Sequence, residues 1–177
     1  KQGAESLEAH LLTVGAHIDL PEFKTRLRTH LIPSDVNGFL QTAKLAELLA
    51  DLVTDYCLPR DRRTEAMQES MRIGSLEPIN ALRREAIELF VDSNTSGEAG
   101  ELLLYLLTER VLGAPQILSK MTLKTSAKMH YHGADGVHAK RTANGMALYW
   151  GESKIHEDRA SAVRECLASV SPFLLDP

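Results

Sequence analysis

Between residues 34 and 91 apolar positions recur at helical spacing and predict three helices. Ser34 or Asp35 can cap the first, whose apolar face carries Val36, Phe39, Leu40, Leu45, Leu48, Leu49, Leu52, Val53 and Tyr56 until Pro59 stops it. The second covers 62–73 and ends near Gly74. The third, 78–91, buries Ile79, Leu82, Ala86, Leu89 and Phe90 and turns Arg83, Arg84, Glu85 and Glu88 to water. Before residue 34 no period is clear: Leu7, Leu11 and Leu12 fit a turn or two of helix or a strand, and Pro21 interrupts. The polar run 92–97 is the best boundary. A strong helix follows at about 97–112, apolar on most sides as a helix laid across a sheet should be, and Gly113 ends it.

Beyond Gly113 the period changes. Residues 115–124, 132–140 and 146–155 read as strands, and Asn144-Gly145 makes the last two an antiparallel hairpin. A final helix takes 158–170. The expectation is an α/β fold with a mainly helical region over 1–96 and a sheet-bearing core over 97–177.

Composition narrows the class. With 177 residues, 44% hydrophobic and 25% charged, the chain can bury a core without a disulfide or zinc staple. Cys57 and Cys166 have no partners at metal-site spacing, so a reducing, cytoplasmic setting is expected. No apolar run approaches the roughly 20 residues of a membrane span, Lys1 begins no signal peptide, and no membrane partner is expected. A chain running from Lys1 to Pro177 without an initiator Met reads as a trimmed or processed piece. The net charge of −4 argues against a non-specific nucleic-acid coat protein. It is uneven, however: 1–96 carries eleven basic and fifteen acidic side chains, whereas 97–177 carries nine of each. Within 120–141, Lys120, Lys124, Lys128, Lys140 and Arg141 face one acid, Asp135. That segment reads either as an edge that concentrates a polyanion or as a solvated strand face.

The third strand leads into Gly151-Glu152-Ser153-Lys154. On a strand, Glu152 and Lys154 share a face, with Asp135 across the hairpin. Two carboxylates and an ammonium at one sheet end match the needs of metal-assisted phosphodiester cleavage. Asp135 and Glu152 offer hard oxygens to Mg²⁺ or Mn²⁺, with the Ser153 backbone carbonyl as a further donor. Lys154 can orient or deprotonate the attacking water, or hold the phosphoryl oxygens. The plain alternative is a surface Glu–Lys pair.

The strings His132-Gly133-Ala134-Asp135-Gly136-Val137-His138 and Leu148-Tyr149-Trp150-Gly151-Glu152-Ser153-Lys154 resemble the nuclease subunit of the bacterial Hachiman anti-phage defence system. The order helix, strand, strand, strand, helix with Asp135 … Glu152-x-Lys154 resembles the PD-(D/E)xK nuclease superfamily. The resemblance is strong over 97–177 and loose before it. It implies a restriction-endonuclease-like fold, with a mixed sheet flanked by helices. It also implies a DNA substrate, metal on Asp135 and Glu152, Lys154 as general catalytic residue, and a superfamily-two helicase subunit as partner. Many members add an acid from the first core helix: Glu98 or Glu101, of which Glu101 lies further inside. Ala134 stands where the superfamily motif has Pro. A further strand after the last helix would fall at 171–175, where a short Pro-bearing segment leaves it truncated or missing. One metal or two stays open.

Other readings use the same residues. His130-Tyr131-His132 fits nucleases with a Tyr nucleophile, for which Tyr56 or Tyr105 would serve, but this leaves Glu152 and Lys154 idle. Trp150 is a base-stacking platform or, with Tyr149 on the opposite face, core. Lys124, Lys128, Lys140 and Arg141 touch a nucleic-acid backbone or guard a sheet edge. The non-enzyme alternative is a catalytically inactive regulatory or adaptor subunit of a helicase complex.

Overall fold

The computed structural model describes residues 7–90, 97–118, 121 and 134–175. Two compact units divide the chain, Lys1–Asp51 and Leu52–Pro177.

The first unit opens with two short antiparallel ladders. In one, β1 (Leu12–Thr13) pairs with β4 (His30–Leu31); in the other, β2 (Ile18–Leu20) pairs with β3 (Thr25–Leu27) across a 3₁₀ turn at Pro21–Phe23. Among its described residues, Leu7, Leu11 and Leu45 are the buried apolar side chains. The mainly helical description of the N-terminal half therefore needs correction before residue 42. Asp35 caps no helix. Its Oδ1 accepts from the Asn37 and Phe39 backbone N–H groups at 2.8 and 2.9 Å, closing a turn that leaves Val36 and Phe39 exposed. Helix α1 (Thr42–Cys57) starts after that turn.

In the second unit, α2 (Arg60–Ile73) ends at Gly74, which is left-handed at φ 67° and donates its N–H to Ser70. α2 packs on α3 (Glu77–Glu88), and Arg62 grips Glu85 between them at 2.6 and 2.9 Å. α4 (Glu98–Arg110) buries Leu102, Tyr105 and Leu106. A three-stranded sheet follows, β5 (Gln116–Leu118), β6 (Gly136–Thr142) and β7 (Gly145–Gly151), in the order β5-β6-β7. The α/β class holds. Every described rung is antiparallel, which corrects the mixed sheet expected from resemblance. The expected hairpin forms, but its turn is Ala143-Asn144 rather than Asn144-Gly145, because Gly145 pairs with Thr142 as the first residue of β7.

β7 stops at Gly151 rather than 155, so Glu152 and Lys154 lie beyond the strand. α5 (Arg159–Leu175) runs through 171–175, so the further strand, expected to be truncated or missing there, is replaced by helix. Pro172 sits inside it, one residue after Ser171, whose hydroxyl donates to the Leu167 carbonyl at 2.6 Å. Among the described residues no helix is long and apolar enough to cross a membrane.

Candidate functional site

Gly136 opposite Gly151 is the last rung of the β6–β7 ladder. One residue outward, the Asp135 N–H still donates to the Gly151 carbonyl at 3.0 Å. The Asp135 side chain then continues the pairing: Oδ2 accepts from the Ser153 backbone N–H at 2.9 Å. Where the ladder ends, a carboxylate takes over and fixes 152–154 as an ordered loop.

On that loop Lys154 Nζ donates to Glu152 Oε1 at 2.5 Å. The Glu152 side chain is 10% exposed and that of Lys154 29%, so the pair stands at the edge of the interior, open to a ligand on the lysine side. Glu152 beside it holds the Lys154 ammonium above the usual lysine range, and the negative charge of Asp135 adds to that effect. The group is therefore a fixed cation at neutral pH. Cys166 on α5 donates its thiol toward the Glu152 backbone carbonyl at 3.8 Å, and burial, then the Glu152 charge, pushes that thiol up.

Helix α4 brings further carboxylates. Glu98 and Glu101, three residues apart on one helical face, are 5% and 7% exposed. Glu101 Oε2 accepts from the Tyr56 hydroxyl at 2.9 Å. Burial, then the charge of Glu101, raises the Tyr56 phenol far above its ordinary value, with a smaller push from Asp135. Two glycines permit the close approach of helix and sheet. A β-carbon on Gly151 would meet Leu104 Cδ2 at 2.8 Å, and one on Gly100 would meet Ser153 Oγ at 2.4 Å.

The structure thus brings together Asp135, Ser153, Glu152 and Lys154, and separately holds Glu101 against Tyr56. Glu98 is buried a turn nearer the start of α4. The sequence reading missed Tyr56 as a partner of Glu101, although its place on an apolar helix face with one polar tip was a signal. It did not foresee the contact of Cys166 with the Glu152 carbonyl, because nothing local marks it.

Other candidates fare differently. Both helix tyrosines are buried with raised phenols, so neither suits a nucleophile. His130, Tyr131, His132, Gly133, Lys120, Lys124 and Lys128 lie outside the described residues. Trp150 is 45% exposed and points away from the face where His138, the partner of Tyr149, is buried. Lys140 donates to the Leu112 carbonyl at 2.8 Å, and His156 pairs with Glu165 at 2.9 Å.

The donors suit a hard divalent cation: buried or nearly buried carboxylates with one lysine paired among them. Among the described residues no three His, Cys, Asp or Glu side chains form a group able to cage a metal. An ion of the Mg²⁺ kind takes one or two protein carboxylates and completes its shell with water and phosphate oxygens.

The family model of HamA matches residues 9–177 of the chain. No curated protein and no solved structure matches it.

Proposed function

Because the chain belongs to the HamA family, and so is a subunit of the Hachiman anti-phage defence system, we propose that it is the metal-dependent DNA endonuclease of that system, acting with a helicase partner. The observation that carries this reading is the Asp135–Ser153 hydrogen bond, which sets the Glu152–Lys154 pair beside the Asp135 carboxylate.

Asp135 and Glu152 would hold Mg²⁺ or Mn²⁺, with Glu101 or Glu98 as the further acid. When bound, the ion lowers the pKa of a water and offsets charge on the scissile phosphate. Asp135 is oriented by the Ser153 N–H, so its carboxylate is aimed before substrate arrives. Glu152 is held by Lys154. The ammonium of Lys154, fixed as a cation, binds a phosphoryl oxygen and stabilises charge that builds in the transition state. That role replaces proton abstraction, for which a lysine must first be neutral. Tyr56 keeps Glu101 in place through its hydroxyl.

The test is cleavage of plasmid and linear DNA with Mg²⁺ or Mn²⁺, by the chain alone and with its helicase partner. Glu152→Ala and Lys154→Ala should each lower the rate by about 100-fold or more. Cleavage that persists in both variants overturns the assignment.

The lack of a three-carboxylate cage among the described residues favours a second reading, an inactive adaptor subunit. It predicts no cleavage under any metal, with or without the partner, and an unchanged complex in both variants.

A further inference from the structure

The second unit carries another constellation, outside the acidic site. A cavity of about 640 Å³ opens between the end of α1, the start of α2, the later turns of α4 and β5. Pockets for small organic ligands span roughly 300–1,000 Å³. Its polar lining is Asp55, Arg60, Arg63, Tyr105, Glu109 and Gln116.

The two carboxylates there are engaged. Asp55 Oδ1 accepts from Arg63 Nη1, and Glu109 Oε1 accepts from the Gln116 backbone N–H at 3.0 Å. Two donors are left over. Arg63 Nε–H and the Gln116 side-chain NH₂ are buried and have no acceptor among the described residues. Buried donors without acceptors are costly, and a ligand that accepts from them, after a small turn of either side chain, removes the cost.

The charges of the lining decide what kind of acceptor. Two guanidiniums stand against two carboxylates, so a bare polyanion is a poor match. A neutral, acceptor-rich ring is a better one, and Leu58 and Ile117 give it apolar surface. Arg60 is exposed and opens α2, whose N-terminus has no side-chain cap, so an attached phosphate finds a cation there.

We propose that this cavity binds a single nucleotide, its base against Arg63 and Gln116 and its phosphate toward Arg60. Guanine fits best. Its O6 and N7 are the usual acceptors for a guanidinium. The source is a free nucleotide or an unpaired nucleotide of a strand, since both present the same groups. The proposal does not rest on DNA cleavage: Glu101 and Glu109 lie about 12 Å apart along α4, and binding is read without metal.

The experiment is calorimetric titration of the whole chain, free of divalent ions, with dGMP, with inorganic phosphate, and with a single-stranded oligonucleotide holding one guanine. One-site binding of dGMP is expected, undisturbed by an equal concentration of phosphate. Arg63→Lys and Gln116→Leu should each weaken it roughly ten-fold or more. Arg63→Lys keeps a cation beside Asp55, and Gln116→Leu keeps the backbone N–H on Glu109, so the fold survives both. If only the oligonucleotide binds, with the same sensitivity to both variants, the ligand is a strand nucleotide and the proposal stands. It is overturned if neither nucleotide ligand binds, if both variants bind like the parent, or if phosphate alone binds with that same sensitivity.

Discussion

Gly100 of α4 faces Ser153 so closely that a β-carbon would stand 2.4 Å from its Oγ and 3.1 Å from two side-chain carbons of Ile155. The helix that carries Glu98 and Glu101 therefore rests directly on the loop that carries Glu152 and Lys154. Helix propensity alone favours Ala over Gly here by about 1 kcal/mol. We expect packing to win. Gly100→Ala should destabilise by about 1–2 kcal/mol in urea unfolding, and Ser153→Ala in the same chain should recover part of the loss. A stabilised Gly100→Ala protein would show that the contact yields freely.

Asp135 should matter to the loop apart from any chemistry. Its removal as Asp135→Ala takes away the charged acceptor of the Ser153 N–H, a bond worth about 1.5–3 kcal/mol. Hydrogen exchange at the Ser153 amide should quicken correspondingly, while amides in α2 and α3 stay unchanged. Equal acceleration everywhere would mean global destabilisation rather than a local tether.

Alkaline titration tests the buried phenols. Tyr56 and Tyr105 both titrate above the ordinary tyrosine range because burial, and then the neighbouring Glu101 or Glu109, disfavours phenolate. Above about pH 10 the unfolded chain loses protons that the folded chain keeps, so stability falls as pH rises. Of the four tyrosines, these two should show phenolate absorbance only on unfolding. Tyr56→Phe should remove one of these late steps and cost about 1.5–3 kcal/mol through the lost bond to Glu101.

Acid should act on the α2–α3 pair. The Arg62 guanidinium holds the Glu85 carboxyl below its usual range. A depressed carboxylate contributes stability that is complete above its unfolded pKa and lost as pH falls through the lower folded value. Both side chains are nearly half exposed, so the contribution is small, about 0.2–1 kcal/mol. Glu85→Gln should flatten the acid limb of stability below about pH 4.5 by that amount, as urea midpoints across pH would show.

Several elements were legible because their signals are local. Pro59 and Gly74 bound α2, the Asn-Gly signal marks the β6–β7 hairpin although the turn itself is Ala143-Asn144, and the apolar run of α4 marks a buried helix. The start of α1 was misread because Val36, Phe39 and Leu40 mimic helical spacing, while the Asp35 carboxylate closes a turn instead. The end of β7 was misread for a similar reason. A strand through Ile155 would keep Glu152 and Lys154 on one face, but beyond Gly151 the Asp135 side chain replaces the backbone ladder and accepts from the Ser153 N–H.

The sequence by itself determined that Asp135 and the segment 152–154 would stand at one end of a hairpin, because a two-residue turn fixes which residues lie at its open end. Only the tertiary structure decided how they meet. Covalent spacing says nothing about Tyr56 and Glu101, 45 residues apart, or about Gly100 against Ser153. Those contacts exist because helix and sheet close over a shared interior, and burial there leaves each polar group to find a partner or a cost.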